Sequence, residues 1–349
     1  MPSMMSPRQR VLAVLRHERP DKVPFTIYEN KIPQCSVERR LRDEGLCIVW
    51  RKQRGCIEET PNCSWQSAHY TDGGRPRIRH VIRTPVGEVD SICEPAGYTT
   101  WTLTRFFKGP DDYGTLRFYL GDVVCRPDYE AFAAAEAWMG EDVILRAGVG
   151  GTPLHRIMIE WMGLETFAVE WAERRDEVLS LEALMRRNLR AVYPVLAEAP
   201  MTHANFGGNE VPEVMGPERY REYCIPLYDE CAELFHAKGK LLGTHLDGNN
   251  AAWAADVAAC GLDYVEAFTP APDTDMTLDD ALAAWPDKVL WINFPSSVHL
   301  ASIAEIERTA REIVAAARDT GRVILGITED MPEHRWQENL LAIGKVVNE

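Results

Sequence analysis

The sequence predicts an α/β protein built on one (β/α)8 TIM-type barrel, with N-terminal helices and a β-rich insertion. From about residue 140 onward, short apolar runs alternate with amphipathic helical segments, which is typical of a parallel sheet covered by helices. Polar side chains follow nearly every apolar run, as expected where the strand ends of a barrel form an active site. An open doubly wound sheet is the structural alternative, but the glycine-rich turn that it should carry does not follow the first strand.

The first helix is predicted from its N-terminal capping residues. Ser6 can cap the helix, Pro7 suits its first position, and Gln9 completes a capping box. Pro20 lies beyond the apolar stripe and cannot continue the helix. Val23–Tyr28 follows as a short predicted strand, the first of the barrel.

The segment 47–105 is predicted to be rich in β-strands. Its strand-like runs are Cys47–Gln53, Ile78–Thr84, Glu88–Cys93 and Thr99–Arg105. A Pro-Val-Gly sequence between two of these runs is typical of a turn. We interpret the segment as an insertion near the barrel mouth, within a single domain spanning residues 1–349. A small separate domain is the alternative, although no flexible linker bounds it.

The regular part of the chain supplies the further predicted strands and the helices between them. The strands are Val143–Ala147, Met201–Ala204, Lys240–Thr244, Tyr264–Phe268, Val289–Asn293 and Val323–Ile327. The helical segments are 176–198, 217–238, 249–259, 277–284, 302–319 and 334–347. Capping-box patterns begin two of these helices, at Ser302 with Glu305 and at Thr277 with Asp280.

The composition predicts a cytoplasmic enzyme that binds neither nucleic acid nor membranes. A net charge of −15 disfavours phosphate-rich partners, because these are bound by clustered Lys and Arg. No apolar run approaches the roughly 18–20 residues of a membrane span, and the N-terminus lacks the pattern of a secretory signal. The nine cysteines form no CxxC pair, which favours reduced thiols over a zinc ribbon or a redox motif.

Several polar residues at predicted strand ends are candidates for chemistry. His245 and Asp247 lie two residues apart, so in a continued strand both side chains point the same way and could meet one metal ion. Glu266 lies inside an apolar strand, where a metal, a cation or a hydrogen-bond network must satisfy its carboxylate. Further candidates, each with a purely structural hydrogen-bonding role as the alternative, are His203, Asn205 and Asn293.

Beyond these patterns, the sequence resembles the uroporphyrinogen decarboxylase superfamily over most of its length. The matching segments are Ser6–Leu12, Arg19–Pro24, Gly216–Pro226, Gly239–His245, Gly261–Asp263, and Pro332 with Glu338–Leu340. True decarboxylases of the superfamily carry an early Arg-Gln-Ala-Gly-Arg-Tyr motif, whereas this chain has Phe25–Lys31 in the corresponding place. The cationic clamp for porphyrinogen carboxylates is therefore missing, and porphyrinogen decarboxylation is not expected.

The other branch of the superfamily comprises cobalamin-dependent methyltransferases, and the resemblance implies a metal site of their type. Members that act on thiols bind zinc through a His-x-Cys pair and a later cysteine. Here His245 matches the histidine, Asp247 stands at the first cysteine position, and Glu329 falls near the second. Glu210 is a further candidate ligand, by analogy with demethylating members that use glutamates. Oxygen ligands favour zinc, or another divalent metal, acting as a Lewis acid on an ether oxygen.

The resemblance thus implies a metal-dependent methyltransferase, the O-demethylase component that moves a methyl group to a corrinoid protein. The expected methyl donor is a small methylated substrate, specifically a methoxylated aromatic. The cobalamin is expected on the separate partner, because the motif Asp-x-His-x-x-Gly is absent here. In this prediction His203 and Glu266 are catalytic, whereas Tyr28, Asn205 and Asn293 bind the substrate.

Two other functions stay open at this point. One is a decarboxylase or lyase that acts on a small acid with the same fold. The other is a non-catalytic barrel that binds a corrinoid or a porphyrinoid. The oligomeric state also stays open, with a homodimer as one option.

Overall fold

The computed structural model describes residues 4–97 and 99–349, and the chain divides into two compact units. The first unit contains the described residues up to Gly55, together with Asp128–Gly150 and Ala197–Glu349. The second unit contains Cys56–Pro127 and Gly151–Leu196. None of the helices in the described ranges combines the length and the apolarity that crossing a membrane requires.

Strands and helices are numbered along the chain. The strands are β1 Phe25–Tyr28, β2 Leu46–Trp50, β3 Cys56–Glu59, β4 Ser64–Asp72, β5 Arg75–Thr84, β6 Gly87–Ala96, β7 Thr99–Thr104, β8 Val124–Pro127, β9 Val143–Leu145, β10 Ala147–Gly150, β11 His203–Phe206, β12 Leu241–His245, β13 Tyr264–Phe268, β14 Val289–Asn293 and β15 Val323–Ile327. The α-helices are α1 Pro7–Leu15, α2 Ser36–Asp43, α3 Asp112–Gly121, α4 Tyr129–Trp138, α5 Pro153–Arg156, α6 Leu164–Glu173, α7 Arg175–Glu198, α8 Pro212–Met215, α9 Pro217–Tyr223, α10 Ile225–His236, α11 Ala254–Ala259, α12 Leu278–Ala284, α13 Ile303–Thr320 and α14 Trp336–Val347. Shorter helical turns are the π-helical Ile157–Met162 and the 3-10 turns Ala251–Trp253 and Ser296–Leu300.

The first unit contains a closed parallel barrel. Within the described ranges, nine strands form one sheet in the order β10–β11–β12–β13–β14–β15–β1–β2–β9. Only Arg146 separates β9 from β10, so one chain segment pairs with β2 on one side and with β11 on the other, which closes the sheet. The predicted (β/α)8 TIM-type barrel is therefore confirmed.

Helix α1 fills the N-terminal end of this barrel. Val11, Val14 and Leu15 pack in one hydrophobic cluster with Tyr264 and Val289, which are the first residues of β13 and β14. The cluster removes a large apolar area from water and so stabilises the barrel at that end. Because the N-terminal end is filled with side chains, the opposite end is left for chemistry.

Helix capping follows the sequence closely. Both hydrogen bonds of a capping box form at Ser6 with Gln9 and at Thr277 with Asp280. At α13 the Ser302 side chain accepts a hydrogen bond from the Glu305 backbone N–H. These contacts satisfy backbone donors that the first helical turn leaves without a partner.

The structure corrects the start of the predicted β-rich insertion 47–105. Leu46–Trp50 pairs in parallel with β1 and β9 and is therefore a barrel strand. In the second unit, β4 to β7 form an antiparallel four-stranded sheet, and β3 pairs with β8 in a separate antiparallel pair. The other three predicted strands of this segment coincide largely with β5, β6 and β7.

Candidate functional site

Three predicted metal ligands meet at the C-terminal end of the barrel. His245 is the last residue of β12, Asp247 follows two residues later, and Glu329 follows β15. One ligand atom from each lies within 4.8 Å of the other two, the sole such His, Cys, Asp or Glu grouping of three or more in the described part of the chain. Strands β12 and β15 are not neighbours in the sheet, so barrel closure is what brings these residues together.

The spacing of this group fits a bound metal ion. His245 Nε2 lies 3.4 Å from Asp247 Oδ2. Two ligands at about 2.0–2.1 Å from a tetrahedral ion stand about 3.3 Å apart, so these two atoms need hardly move to bind zinc. Imidazole nitrogen and carboxylate oxygen are donors that zinc and related divalent metals accept. We refer to His245, Asp247 and Glu329 as the ligand group.

Two asparagines hold the carboxylates of the ligand group in place. Asn209 donates from Nδ2 to Asp247 Oδ2 at 3.3 Å. Asn293 Oδ1 accepts hydrogen bonds from the backbone N–H groups of Thr328 at 3.0 Å and Glu329 at 3.3 Å. Asn293 thus satisfies backbone groups, the alternative considered for it from the sequence, and by doing so it fixes the chain from which Glu329 projects.

A buried polar network lies on the other side of the His245 ring. Glu266 is fully buried, and its Oε2 accepts hydrogen bonds from Arg146 at 2.6 Å, His245 Nδ1 at 2.8 Å and Asn205 at 3.2 Å. Its Oε1 accepts a hydrogen bond from the Tyr28 hydroxyl. The carboxylate is therefore satisfied on both oxygens, which offsets the cost of burying its charge.

The charges of this network set the protonation states beside the ligand group. Burial alone would raise the pKa of Glu266, but Arg146 and His245 lower it to about 2. Burial alone would lower the pKa of His245, but the Glu266 and Asp247 carboxylates raise it to about 10. Burial, and then the charge of Asp247, raise the pKa of Glu329 above its ordinary value. His245 therefore carries a proton on both ring nitrogens at neutral pH, and an ion that binds Nε2 would have to displace one of them.

His203 lies deeper in the barrel than the ligand group. Its Nδ1 is 3.0 Å from the Tyr264 hydroxyl, which itself donates to the Ala204 carbonyl at 2.8 Å. Because that hydroxyl has one proton and donates it, His203 Nδ1 must be the donor in their contact. Burial lowers the pKa of His203 to about 3, so the ring is neutral.

The structure does not bring Glu210 into the ligand group. Glu210 follows β11 and is buried. Its charge is felt instead by Tyr228. Burial first, and the charge of Glu210 second, raise the pKa of Tyr228 well above its ordinary value. A role for Glu210 as a ligand stays a prediction that this geometry does not favour.

A small polar cavity opens beside the ligand group, with a volume of about 330 Å³. Its lining includes the carboxylates of Asp247 and Glu329, and two further carboxylates from Glu213 and Asp273. The other lining residues are Val211, Gly248, Asn249, Thr269, Thr274, Asn293 and Ser296. Among these described residues there is no cationic and no aromatic side chain. Tyr28, Asn205, His203 and Glu266 lie in the barrel interior beneath it rather than in its lining.

Sequence reasoning missed Arg146, and it placed Asn209 after a predicted strand without giving it a role. Arg146 was counted as part of a continuous strand Val143–Ala147, although a charged residue within an apolar run indicates a buried partner. Asn209 has a positive φ of 61°, a conformation that asparagine adopts more readily than most residues, and it lies in the loop after β11. That loop conformation is not visible in the sequence.

Comparison with known proteins shows the fold. No protein-family model and no curated protein matches the sequence. Among solved structures, the chain is similar to a methyltransferase from Methanosarcina mazei, with a TM-score of 0.59 and 12% identity over 98% of both chains. It also matches a glycoside hydrolase family 5 enzyme from Prevotella bryantii B14, at a TM-score of 0.37 and 11% identity over 64% of this chain and 76% of that chain. The chain thus shares its fold with this methyltransferase.

Proposed function

We propose that this chain is a metal-dependent methyltransferase, which moves a methyl group from a small polar methylated substrate to a corrinoid protein. The observation that carries the proposal is the ligand group at the C-terminal end of the barrel, where His245 Nε2 and two carboxylates converge. The fold shared with a methyltransferase over 98% of both chains supports the reaction class. Active sites of such barrels lie at this end.

The ligand group would hold the metal through one nitrogen and at least two oxygens. A divalent ion such as zinc, when bound there, would supply a Lewis acid for the oxygen that leaves the methyl group. Carboxylates in place of thiolates favour an oxygen-bearing substrate, because hard oxygen ligands leave the ion a stronger Lewis acid than soft sulfur does.

The chain's own residues would position the reactants rather than react with them. The bond between the methyl carbon and its oxygen breaks, a bond between that carbon and cobalt(I) forms, and the released oxygen takes a proton from water. Cobalt(I) of the corrinoid is itself the nucleophile, so the protein need not provide one. Alignment of donor and acceptor in the cavity would then account for much of the acceleration.

The cavity supports a small polar methyl donor rather than a methoxylated aromatic acid. Glu213 and Asp273 retain their charges when a divalent ion neutralises the ligand group, and like charges repel an anionic substrate. The described lining offers amides and hydroxyls for hydrogen bonds and no aromatic side chain for ring stacking. A neutral or cationic compound with few heavy atoms suits the volume of about 330 Å³.

The proposal is tested with the purified full chain, zinc, and free cob(I)alamin as methyl acceptor. Methylcobalamin formation is followed by absorbance for a panel of methyl donors that includes methanol, methylated amines and methoxybenzoates. We expect turnover with a small oxygen-linked methyl donor that carries no negative charge, such as methanol, and none with methylated amines. We also expect loss of turnover in His245→Ala and normal turnover in His236→Ala, which alters an exposed histidine paired with Asp263. Equal rates in His245→Ala and the wild type would refute a metal-assisted reaction at this site.

A further inference from the structure

We propose that Glu266 and Arg146 are positioning residues that fix the His245 ring so that its Nε2 faces the metal. Glu266 Oε2 accepts a hydrogen bond from His245 Nδ1, and Arg146 holds the same carboxylate oxygen in place. The inference rests on the proposed metal site, which it deepens by naming the residues that prepare its nitrogen ligand. It gives Glu266 a different role from proton transfer to a substrate.

The contacts of Glu266 leave it no access to a substrate. The residue is fully buried, and both of its oxygens accept hydrogen bonds from protein side chains. An ionised carboxylate accepts hydrogen bonds and donates none, so at 2.8 Å the proton must belong to His245 Nδ1. The remaining ring nitrogen, Nε2, is the one that faces Asp247. A carboxylate behind a histidine ligand is a recurring way of fixing its tautomer and raising its basicity.

Arg146 holds the Glu266 carboxylate in the position from which it contacts His245. Its guanidinium lies 2.6 Å from Glu266 Oε2, and its side chain is 11% exposed, so the pair is shielded from water. The ion pair fixes Glu266 Oε2, the same oxygen that accepts the hydrogen bond from His245 Nδ1. Without Arg146 the carboxylate would lose this anchor, and the His245 ring would be free to turn Nε2 away from Asp247 and Glu329.

The backbone at Glu266 carries an independent sign of this role. Ala267, the next residue, has a positive φ of 59° within β13, and the pairing register with β14 shifts between Glu266 and Phe268. A bulge of this kind changes the direction in which neighbouring side chains point. A left-handed conformation is unfavourable for alanine and persists where the surrounding structure imposes it. This bulge directly follows Glu266, which pairs with His245 of the neighbouring strand β12.

The first test is metal affinity, measured with Co²⁺ by its ligand-field absorbance and with Zn²⁺ by competition. Glu266→Gln removes the charge but nearly keeps the volume, and we expect affinity to fall about 10- to 100-fold. Arg146→Met should weaken binding similarly, and Arg146→Lys should restore most of it because it returns the charge. Arg10→Met is the matched control: Arg10 forms a 2.7 Å ion pair with Asp21 and its side chain is 9% exposed, but it lies on α1. That variant should lose stability without losing metal affinity.

The second test reads the proton on His245 directly. Histidine is labelled with ¹⁵N, and the His245 resonance is identified by its loss in His245→Gln. We expect Nδ1 to carry a proton in the wild type, and we expect the Nδ1–H signal to weaken or move in Arg146→Met.

The outcomes separate this inference from the proposed function. Wild-type affinity in Glu266→Gln together with lost affinity in His245→Ala would overturn the positioning role and leave the metal site intact. Failure of both the wild type and His245→Ala to bind metal would overturn the proposed function. In that case a His245 Nδ1–H signal that is identical in the wild type, Glu266→Gln and Arg146→Met would refute the positioning role as well, and a signal that changes in both variants would support it.

Discussion

Gly243 offers a test of how tightly the barrel interior is packed. It lies in β12, two residues before His245, and a Cβ atom placed on it would be 2.1 Å from Cε2 of the Tyr264 ring. Ordinary carbon–carbon contacts are about 3.5–4.0 Å. In Gly243→Ala the ring must therefore move by about 1.5 Å, although Tyr264 is fully buried.

The expected cost follows from what Tyr264 contacts. Overpacking a filled core costs about 1–3 kcal/mol. The displaced hydroxyl would also lose its bonds with His203 and the Ala204 carbonyl, and a lost hydrogen bond costs about 1 kcal/mol. We expect Gly243→Ala to lower the free energy of unfolding by about 3–5 kcal/mol.

Gly148→Ala is the matched control. Gly148 is also a barrel-strand glycine, in β10, but a Cβ atom built on it meets nothing within 4 Å. Alanine there should leave stability unchanged or raise it by up to about 1 kcal/mol, because it restricts the unfolded chain. Urea denaturation followed by tryptophan fluorescence measures both variants. Equal unfolding free energies for Gly243→Ala and Gly148→Ala would refute the packing argument.

Three further predictions concern separate parts of the chain. Glu329→Gln should weaken zinc binding about 100-fold or more, measured with a competing chelator, because a zinc site of about 10–16 kcal/mol shared by four ligands loses about 2.5–4 kcal/mol with one of them. Burial lowers the pKa of His299 to about 4 in the folded protein. As the pH falls, this histidine is therefore protonated in the unfolded chain before it is protonated in the folded one. Relative to His299→Gln, the wild type should therefore lose about 2 kcal/mol between pH 7 and pH 5 in denaturation experiments. Ser302→Ala should cost about 1 kcal/mol in the same assay, since it removes the cap of α13.

The sequence predicted the strands best where burial is uniform. Tyr264–Phe268, Val289–Asn293 and Val323–Ile327 were predicted with the bounds that β13, β14 and β15 have, because each is buried throughout and its apolar run ends with the strand. The predicted helix 217–238 is instead broken between Tyr223 and Ile225. Pro226 explains the break, because it has no N–H to donate to the preceding turn.

One part of the site could be predicted from the spacing of residues along the sequence, and the other part depends on closure of the barrel. His245 and Asp247 were paired from their two-residue separation, and the structure places their ligand atoms 3.4 Å apart. Glu329 was placed at a strand end from the sequence, but its role as a ligand came from the resemblance, since its nearness to the other two depends on two strands that do not pair. The partnership of Arg146 with Glu266 could not be predicted, because it crosses the barrel interior between residues far apart in the chain.

Stability alone does not explain the Arg146–Glu266 pair. Burying two charges costs several kcal/mol per ion, and well-packed apolar residues in their place are often as stable or more so. Within the same interior, Trp291 and Ile324 show that this barrel accommodates large apolar side chains. The pair instead makes sense through the third group that it contacts, because Glu266 meets His245 Nδ1 on the face opposite Asp247. A polar pair kept at a cost to stability directly behind His245 is what the proposed metal site would require, because it holds the ring of the nitrogen ligand in a fixed orientation.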